Sequence, residues 1–260
     1  MPAKNLYSIN SFKPVVLAIA GYDPSGGAGV LADIKTFECS GVYGVAIITC
    51  NTHQNDITFN SVTWLDKKEK EKNISLLAKR FPVKAAKLGM HKNLDDVLHS
   101  VKLCKEYFPK AAIVWDPILS ASSGFDLNIK IERSRLTKIL SSLSLVTPNR
   151  DEASKLAGLK DPEEAAMSLS QYCPVLLKGG HLADKKSSID YLFVNGKLTK
   201  QFSSSRIKGA EKHGSGCVLS AAISASLAKG SKLENAVGSG KKYVTDFLKS
   251  NNTLTGYHLN

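Results

Sequence analysis

No stretch of the chain approaches the roughly 18 to 20 consecutive apolar residues that a membrane span requires. The opening, MPAKNLYSINSFKP over residues 1–14, lacks the apolar core of a signal peptide. It reads as a flexible lead into one folded domain over residues 15–260, and the protein is expected in the cytoplasm. Cysteine is sparse and without pattern: Cys39, Cys50, Cys104, Cys173 and Cys217 are widely spaced, and no C-x-x-C occurs. That argues against a disulfide framework or a zinc site and makes most of these residues small buried hydrophobes. The P-loop G-x-x-x-x-G-K-[ST] is missing. Acid is also short, with 23 Asp and Glu against 35 Lys and Arg, a formal net charge of +12. Such a field attracts anions in general. The basic residues are dispersed, however, and none of their runs is interleaved with aromatics, so nucleic-acid binding is not expected. The densest charged run, DKKEKEK from Asp66 to Lys72, alternates in sign and reads as a solvated helix face.

What is present is a succession of short apolar runs. They are Val15–Gly21, Val45–Cys50, Ala85–Gly89, Ala112–Pro117, Leu143–Asn149, Pro174–Gly180 and Ser188–Val194. Runs that are apolar throughout fit strands covered on both faces. Between them, apolar residues recur at helical spacing over Gly29–Ser40, Leu94–Tyr107, Ile129–Leu143, Glu152–Leu156, Glu163–Tyr172 and Val218–Ala228. The alternation predicts an α/β fold: a central, mostly parallel sheet with helices on both faces and right-handed crossovers. Asn195-Gly196 between two β-like runs predicts a hairpin, an antiparallel addition near the sheet edge.

In open α/β sheets, ligands bind outside the carboxyl ends of the strands. Here the apolar runs end in GYDPSGGAG, TCNTHQN, KLGM, WDP, TPNRDE and KGGH. Each supports a bland and a chemical reading. GYDPSGGAG is either a flexible strand-to-helix loop or a backbone that approaches a ligand closely. Asp33 either complements the helix dipole or accepts a hydrogen bond from substrate. Asn149 and Glu152, three apart, match a capping box; they also match oxygen donors near a hydrated magnesium ion. Lys178 either reaches solvent or meets a phosphate as a point charge. Asp116, held extended by Pro117, is either a turn residue or a carboxylate near metal or phosphate. His181 reads as a structural or loop residue. The strongest piece is HGSGC, His213 to Cys217. Its glycines permit converging N–H groups, the following helix adds more, and together they make an anion site. A helix N-terminus also favours a thiolate, so Cys217 is expected to be acidified. G-S-G-C-V-L lacks the third glycine of a dinucleotide fingerprint.

Taken together the motifs are specific. AGYDPSGGAGVLADIKT, HQN, GM, DP, TPNRDEA, KGGH and HGSGC occur in that order over roughly Val15 to Phe247. In this the chain resembles the hydroxymethylpyrimidine and hydroxymethylpyrimidine-phosphate kinases of thiamine synthesis, members of the ribokinase-like superfamily that also holds pyridoxal kinases. The resemblance implies ATP- and magnesium-dependent phosphorylation of 4-amino-5-hydroxymethyl-2-methylpyrimidine and of the resulting monophosphate, with pyridoxal as the alternative substrate. It also implies a homodimer. Carried over by position, Gly21, Asp33, Gln54 and Met90 fall in the pyrimidine site. Asn149, Glu152 and Asp116 fall at the magnesium, partly through water, and Lys178 at the nucleotide phosphates. Gly214, Ser215 and Gly216 fall in the anion hole, and Cys217 at the catalytic base. Gln54 favours the aminopyrimidine, because its amide both donates and accepts. The chain departs from the pattern at Tyr22, at His53, at Glu211-Lys212 and in NNTLTGYHLN, which lacks the family's Gly-Pro-Val.

Overall fold

Seven consecutive residues of VVLAIAGY are buried, so this run can only be a strand covered on both faces. It forms β1 (Val15–Tyr22) in the interior of the sheet, with a strand paired on each side. The computed structural model describes residues 13–120, 127–179, 187–207 and 212–259. Along the chain follow α1 (Gly29–Cys39), β2 (Tyr43–Gln54), β3 (Phe59–Trp64), α2 (Lys67–Ala78), β4 (Val83–Leu88), α3 (Leu94–Tyr107) and β5 (Ala112–Trp115). Then come α4 (Arg133–Leu140), β6 (Leu145–Val146), α5 (Arg150–Ala157), α6 (Pro162–Leu169), β7 (Val175–Leu177), β8 (Ser187–Val194), β9 (Lys197–Ser205), α7 (Ser215–Ala228) and α8 (Leu233–Lys249).

Among the described residues, nine strands join one sheet in the order β3-β2-β1-β4-β5-β6-β7-β8-β9. From β2 through β7 the pairing is parallel. The two margins are antiparallel, β3 on β2 at one side and β8–β9 at the other. The expected hairpin at Asn195-Gly196 is the β8–β9 turn, where φ is 51° and 73°, as a tight hairpin of this type demands.

The apolar runs seal both faces. Ile74, Leu94, Val97, Leu136, Ile139, Leu156 and Leu169 pack helices α2 to α6 onto one face. On the other, α1, α7 and α8 close over the sheet with Ala32, Val218, Leu219, Ile223, Val237 and Phe247. A fully buried aliphatic side chain contributes about 1.5–3 kcal/mol.

Some expectations change. The DKKEKEK run does form a helix, capped by Asp66 through Lys68 N–H at 2.8 Å. It is not solvated throughout, since Lys70 is buried and paired with Asp96. Helix α4 is shorter than the expected Ile129–Leu143, because Glu132 is already extended. Cys50, Cys104, Cys173 and Cys217 are buried and Cys39 is half-buried; all are free thiols, as the missing C-x-x-C implied. Among the described residues no helix is long and apolar enough to cross a membrane.

Candidate active site

Because β1, β4, β5, β6 and β7 run parallel, their carboxyl ends open on one edge. The chain moves from β1 to β2 on one side and later to β4 on the other, which leaves a crevice at that edge. Nearly every residue singled out from the sequence lies along it.

At the β5–β7 end, Lys178 Nζ stands 2.9 Å from Asp116 Oδ1 and 3.7 Å from Glu152 Oε2. Asp116 is buried and also accepts from Thr147 Oγ1 at 3.1 Å and Ser220 Oγ at 3.3 Å. Burial would raise the Asp116 pKa, but the ammonium groups of Lys178 and Lys87 and the hydrogen bonds outweigh it, so the group stays below the usual carboxylate range. Glu152 goes the other way. Burial and the charge of Asp116, against the pull of Lys178, push it up to about 7. Two carboxylates therefore share one lysine, and the site carries surplus negative charge.

The expected capping box is present. Glu152 N–H donates to Asn149 Oδ1 at 2.8 Å, and Asn149 N–H donates to Glu152 Oε2 at 2.7 Å. The amide oxygen of Asn149 is thus engaged in starting α5, while its backbone N–H fixes the Glu152 carboxylate. Among the described residues no three His, Cys, Asp or Glu side chains gather into a ready metal cage. The chemistry still fits magnesium, which retains waters and needs only one or two carboxylates besides phosphate oxygens. A cation beside Asp116 and Glu152 would offset the surplus charge that raises Glu152.

Above this cluster lies the first turn of α7. Gly214 caps it with φ 77°, and a Cβ there would stand 1.9 Å from Gly27 O. Only glycine fits so close to the opposing backbone. A Cβ on Gly216 would stand 3.3 Å from Lys178 Nζ and 3.8 Å from Asp116 Oδ2. The Gly216 and Cys217 N–H groups take no partner among the described residues, so the turn offers free donors where Lys178 offers its ammonium. The whole forms an anion-binding corner.

Cys217 is buried under that turn, and its thiol differs from expectation. Burial pushes it up to about 11; Asp116 and Asp33 add to the rise, while Lys87 and the Gly29 N–H oppose it. Desolvation outweighs the helix N-terminus, and the thiol carries its proton at neutral pH.

At the β1–β4 end, Gly21 faces Cys50 and Met90. A Cβ on Gly21 would stand 2.9 Å from Cys50 Sγ and 3.6 Å from Met90 Sδ. Met90 O accepts from Thr49 Oγ1 at 2.7 Å. Gln54 lies half-buried at the end of β2, across from Phe59. Its neighbour Asn55 is spent on the β2–β3 turn, accepting from Ile57 N–H and Thr58 N–H at 2.9 and 2.7 Å. Asp33 is fully enclosed and pairs with Lys87 Nζ at 2.9 Å. Burial pushes its carboxyl up to about 6 against the pull of Lys87.

Three participants were given no role of their own from the sequence. Lys87 sits inside the apolar run AAKLG, where a buried lysine must have a partner; that was the available signal. Asp23 and His213 join the two glycine-rich segments. Asp23 Oδ2 lies 2.8 Å from His213 Nε2 and accepts the Ala28 N–H at 2.8 Å. Burial would raise the Asp23 pKa, but these hydrogen bonds hold it below the ordinary value. Gly180 and His181 of KGGH, and Glu211, lie outside the described residues.

An anion-binding corner at the strand ends of an α/β sheet fits the class that the motif resemblance implies, a phosphotransferase of the ribokinase-like type. Comparison with known proteins narrows it. Residues 23–259 match the model of the phosphomethylpyrimidine kinase family. A hydroxymethylpyrimidine/phosphomethylpyrimidine kinase of Aquifex aeolicus (strain VF5) is 34% identical over 260 residues, covering 94% of this chain and 98% of that protein. The crystal structure of a phosphomethylpyrimidine kinase from Clostridium difficile 630 is similar, with TM-score 0.74, 33% identity and coverage of 90% and 99%. The pyridoxal kinase of Staphylococcus aureus in complex with pyridoxal has TM-score 0.81 at 28% identity, covering 94% and 92%. The chain belongs to the phosphomethylpyrimidine kinase family, and it is a kinase.

Proposed function

We propose that the protein transfers the γ-phosphoryl group of ATP to the hydroxymethyl oxygen of 4-amino-5-hydroxymethyl-2-methylpyrimidine, and then phosphorylates the monophosphate. The observation that carries this reading is the stacking of the Gly216–Cys217 turn on Lys178 and Asp116, with Glu152 beside them. Phosphoryl transfer depends mainly on positioning and on neutralising charge spread over the phosphoryl oxygens. The free N–H groups of α7 and the Lys178 ammonium supply that neutralisation.

Asp116 and Glu152 would hold magnesium, largely through water, and the ion would supply further charge compensation at the phosphates. Asn149 serves here by orienting Glu152. Ser215 belongs to the same turn as Gly214 and Gly216. Cys217, a neutral thiol in the free protein, orients the hydroxymethyl oxygen and takes its proton only as the thiolate. Gly21, Met90 and Gln54 bound the pyrimidine end. Asp33 acts from below by holding Lys87, since its carboxyl is closed off from the crevice. The homodimer implied by the resemblance belongs to the same proposal, and sedimentation velocity checks it.

The rival substrate is pyridoxal, favoured by the likeness to a pyridoxal-bound kinase. Gln54 supports the aminopyrimidine, whose ring acceptor and amine donor one amide can satisfy. The test is ATP with hydroxymethylpyrimidine, its monophosphate and pyridoxal in parallel, products identified. The reading expects the two pyrimidines to be turned over well ahead of pyridoxal; a clear preference for pyridoxal overturns it.

A further inference from the structure

Two departures from the family pattern meet in space. Lys212 stands immediately before the anion-binding turn, and Asn251–Thr253 follow α8. Lys212 is buried, 6% exposed, yet no carboxylate pairs with it among the described residues. Its ammonium donates instead to Asn251 O at 2.9 Å, Asn251 Oδ1 at 2.6 Å and Thr253 O at 2.8 Å. Burying an ammonium away from water is unfavourable unless its protons are met, and here three neutral oxygens meet them.

The same tail grips the next residue. His213 N–H donates to Leu254 O at 2.8 Å, and the His213 ring meets Asp23 on its other side. Lys212 O accepts the Ser215 N–H at 3.3 Å, at the opening of α7. The tail is braced in turn: Asn251 Oδ1 accepts from Thr253 N–H and Oγ1, each at 3.0 Å, and Asn251 Nδ2 donates to Thr255 O at 3.0 Å. The chain between Lys212 and Cys217 thus has its entry fixed by the tail and its exit fixed by the helix.

We propose that Lys212 is a positioning residue for the transfer reaction. It is a tethered cation that fastens segment 251–254 to the turn 213–217 and so sets the direction of the Gly216 and Cys217 N–H groups. Lys212 touches no reacting atom; it acts through the turn. The proposal rests on the phosphoryl-transfer reading above. Misplacing reacting groups by about 1 Å can cost roughly 10²-fold in rate.

The test is Lys212→Ala, with and without added methylammonium chloride, followed by turnover, thermal midpoint and hydrogen exchange of the 213–218 amides. The truncation leaves the three oxygens in place and a space of ammonium size, so an added amine can refill it. The expected result is a fall in kcat of about 10- to 100-fold, with pyrimidine KM changed by less than about two-fold. Exchange at 213–218 speeds up, and methylammonium reverses both effects without altering the wild type. Unchanged kcat and exchange overturn the proposal. So does a loss that comes with a collapsed midpoint and resists the amine, which would make Lys212 merely structural. If the wild type fails to phosphorylate the pyrimidine, the functional reading falls, while amide exchange still decides the clasp.

Discussion

Lys87 and Lys178 make an instructive pair. Lys87 belongs to β4 and Lys178 directly follows β7, and each lies 2.9 Å from an aspartate oxygen. Around Lys87 the protein is closed: both it and Asp33 have no exposed surface, and Lys87 Nζ donates to Asp33 Oδ2 at 3.0 Å. Around Lys178 it is open. The side chain is 16% exposed, two carboxylates compete for it, and the α7 turn with its free N–H groups lies directly above. The same ion pair therefore does different things. One satisfies a buried charge and holds two elements together. The other leaves surplus negative charge and available donors, an arrangement that a phosphate and a cation can complete.

Four substitutions or titrations sharpen or break that contrast. The largest effect is expected for Cys217→Ala, which should lower kcat by about 10² to 10⁴-fold while pyrimidine still binds. Wild-type turnover would remove Cys217 from the chemistry. Next is Lys87→Met, which strands Asp33 as a buried charge and should destabilise the fold by about 3–5 kcal/mol in urea unfolding. Adding Asp33→Asn should restore much of that loss. A single variant as stable as wild type would contradict the closed-pair account.

The third concerns Glu152. Its folded pKa of about 7 lies above the unfolded value of 4.5, so the fold favours the protonated form. The stability this adds is complete below about pH 4.5 and is lost as pH rises through 7. Measured against Glu152→Gln, the wild type should lose stability, of order 3 kcal/mol, between about pH 5 and 8. A constant difference across that range would mean that Glu152 is an ordinary surface acid. The smallest effect belongs to the far end of the crevice. The methyl of Gly21→Ala meets Cys50 and Met90, so pyrimidine KM should rise by about ten-fold with kcat kept. A fall in kcat instead would mean that the two ends are not separate.

How much of this was legible depended on where the information resides. β1 and α3 read cleanly, because an unbroken apolar run and a clear helical period admit one interpretation. α8 was missed, because LENAVGSGKKYV carries two glycines that read as breakers. Gly240 is there for packing, since a Cβ would come 2.5 Å from Ile223 Cγ1 of α7. β3 was missed because it is a half-exposed edge strand with a weak apolar signal. α7 begins at Ser215, ahead of the expected Val218, because Gly214 caps it with a positive φ that no periodicity reveals.

The site was legible residue by residue but not in its pairings. Lys178, Asp116 and Glu152 stood out as polar residues at strand ends, yet their sharing of one charge is a fact of three dimensions. The Cys217 thiol was misjudged for the same reason. Its place at a helix start is visible in the sequence, whereas its burial beside two carboxylates is not.

The most direct test of the central claim, that Lys178 rather than Lys87 serves the transferring phosphoryl group, is single-turnover transfer from ATP to bound hydroxymethylpyrimidine by Lys178→Met. The account predicts a loss of about 10² to 10³-fold in a variant that remains folded and keeps a pyrimidine affinity close to wild type. Transfer at the wild-type rate would contradict it.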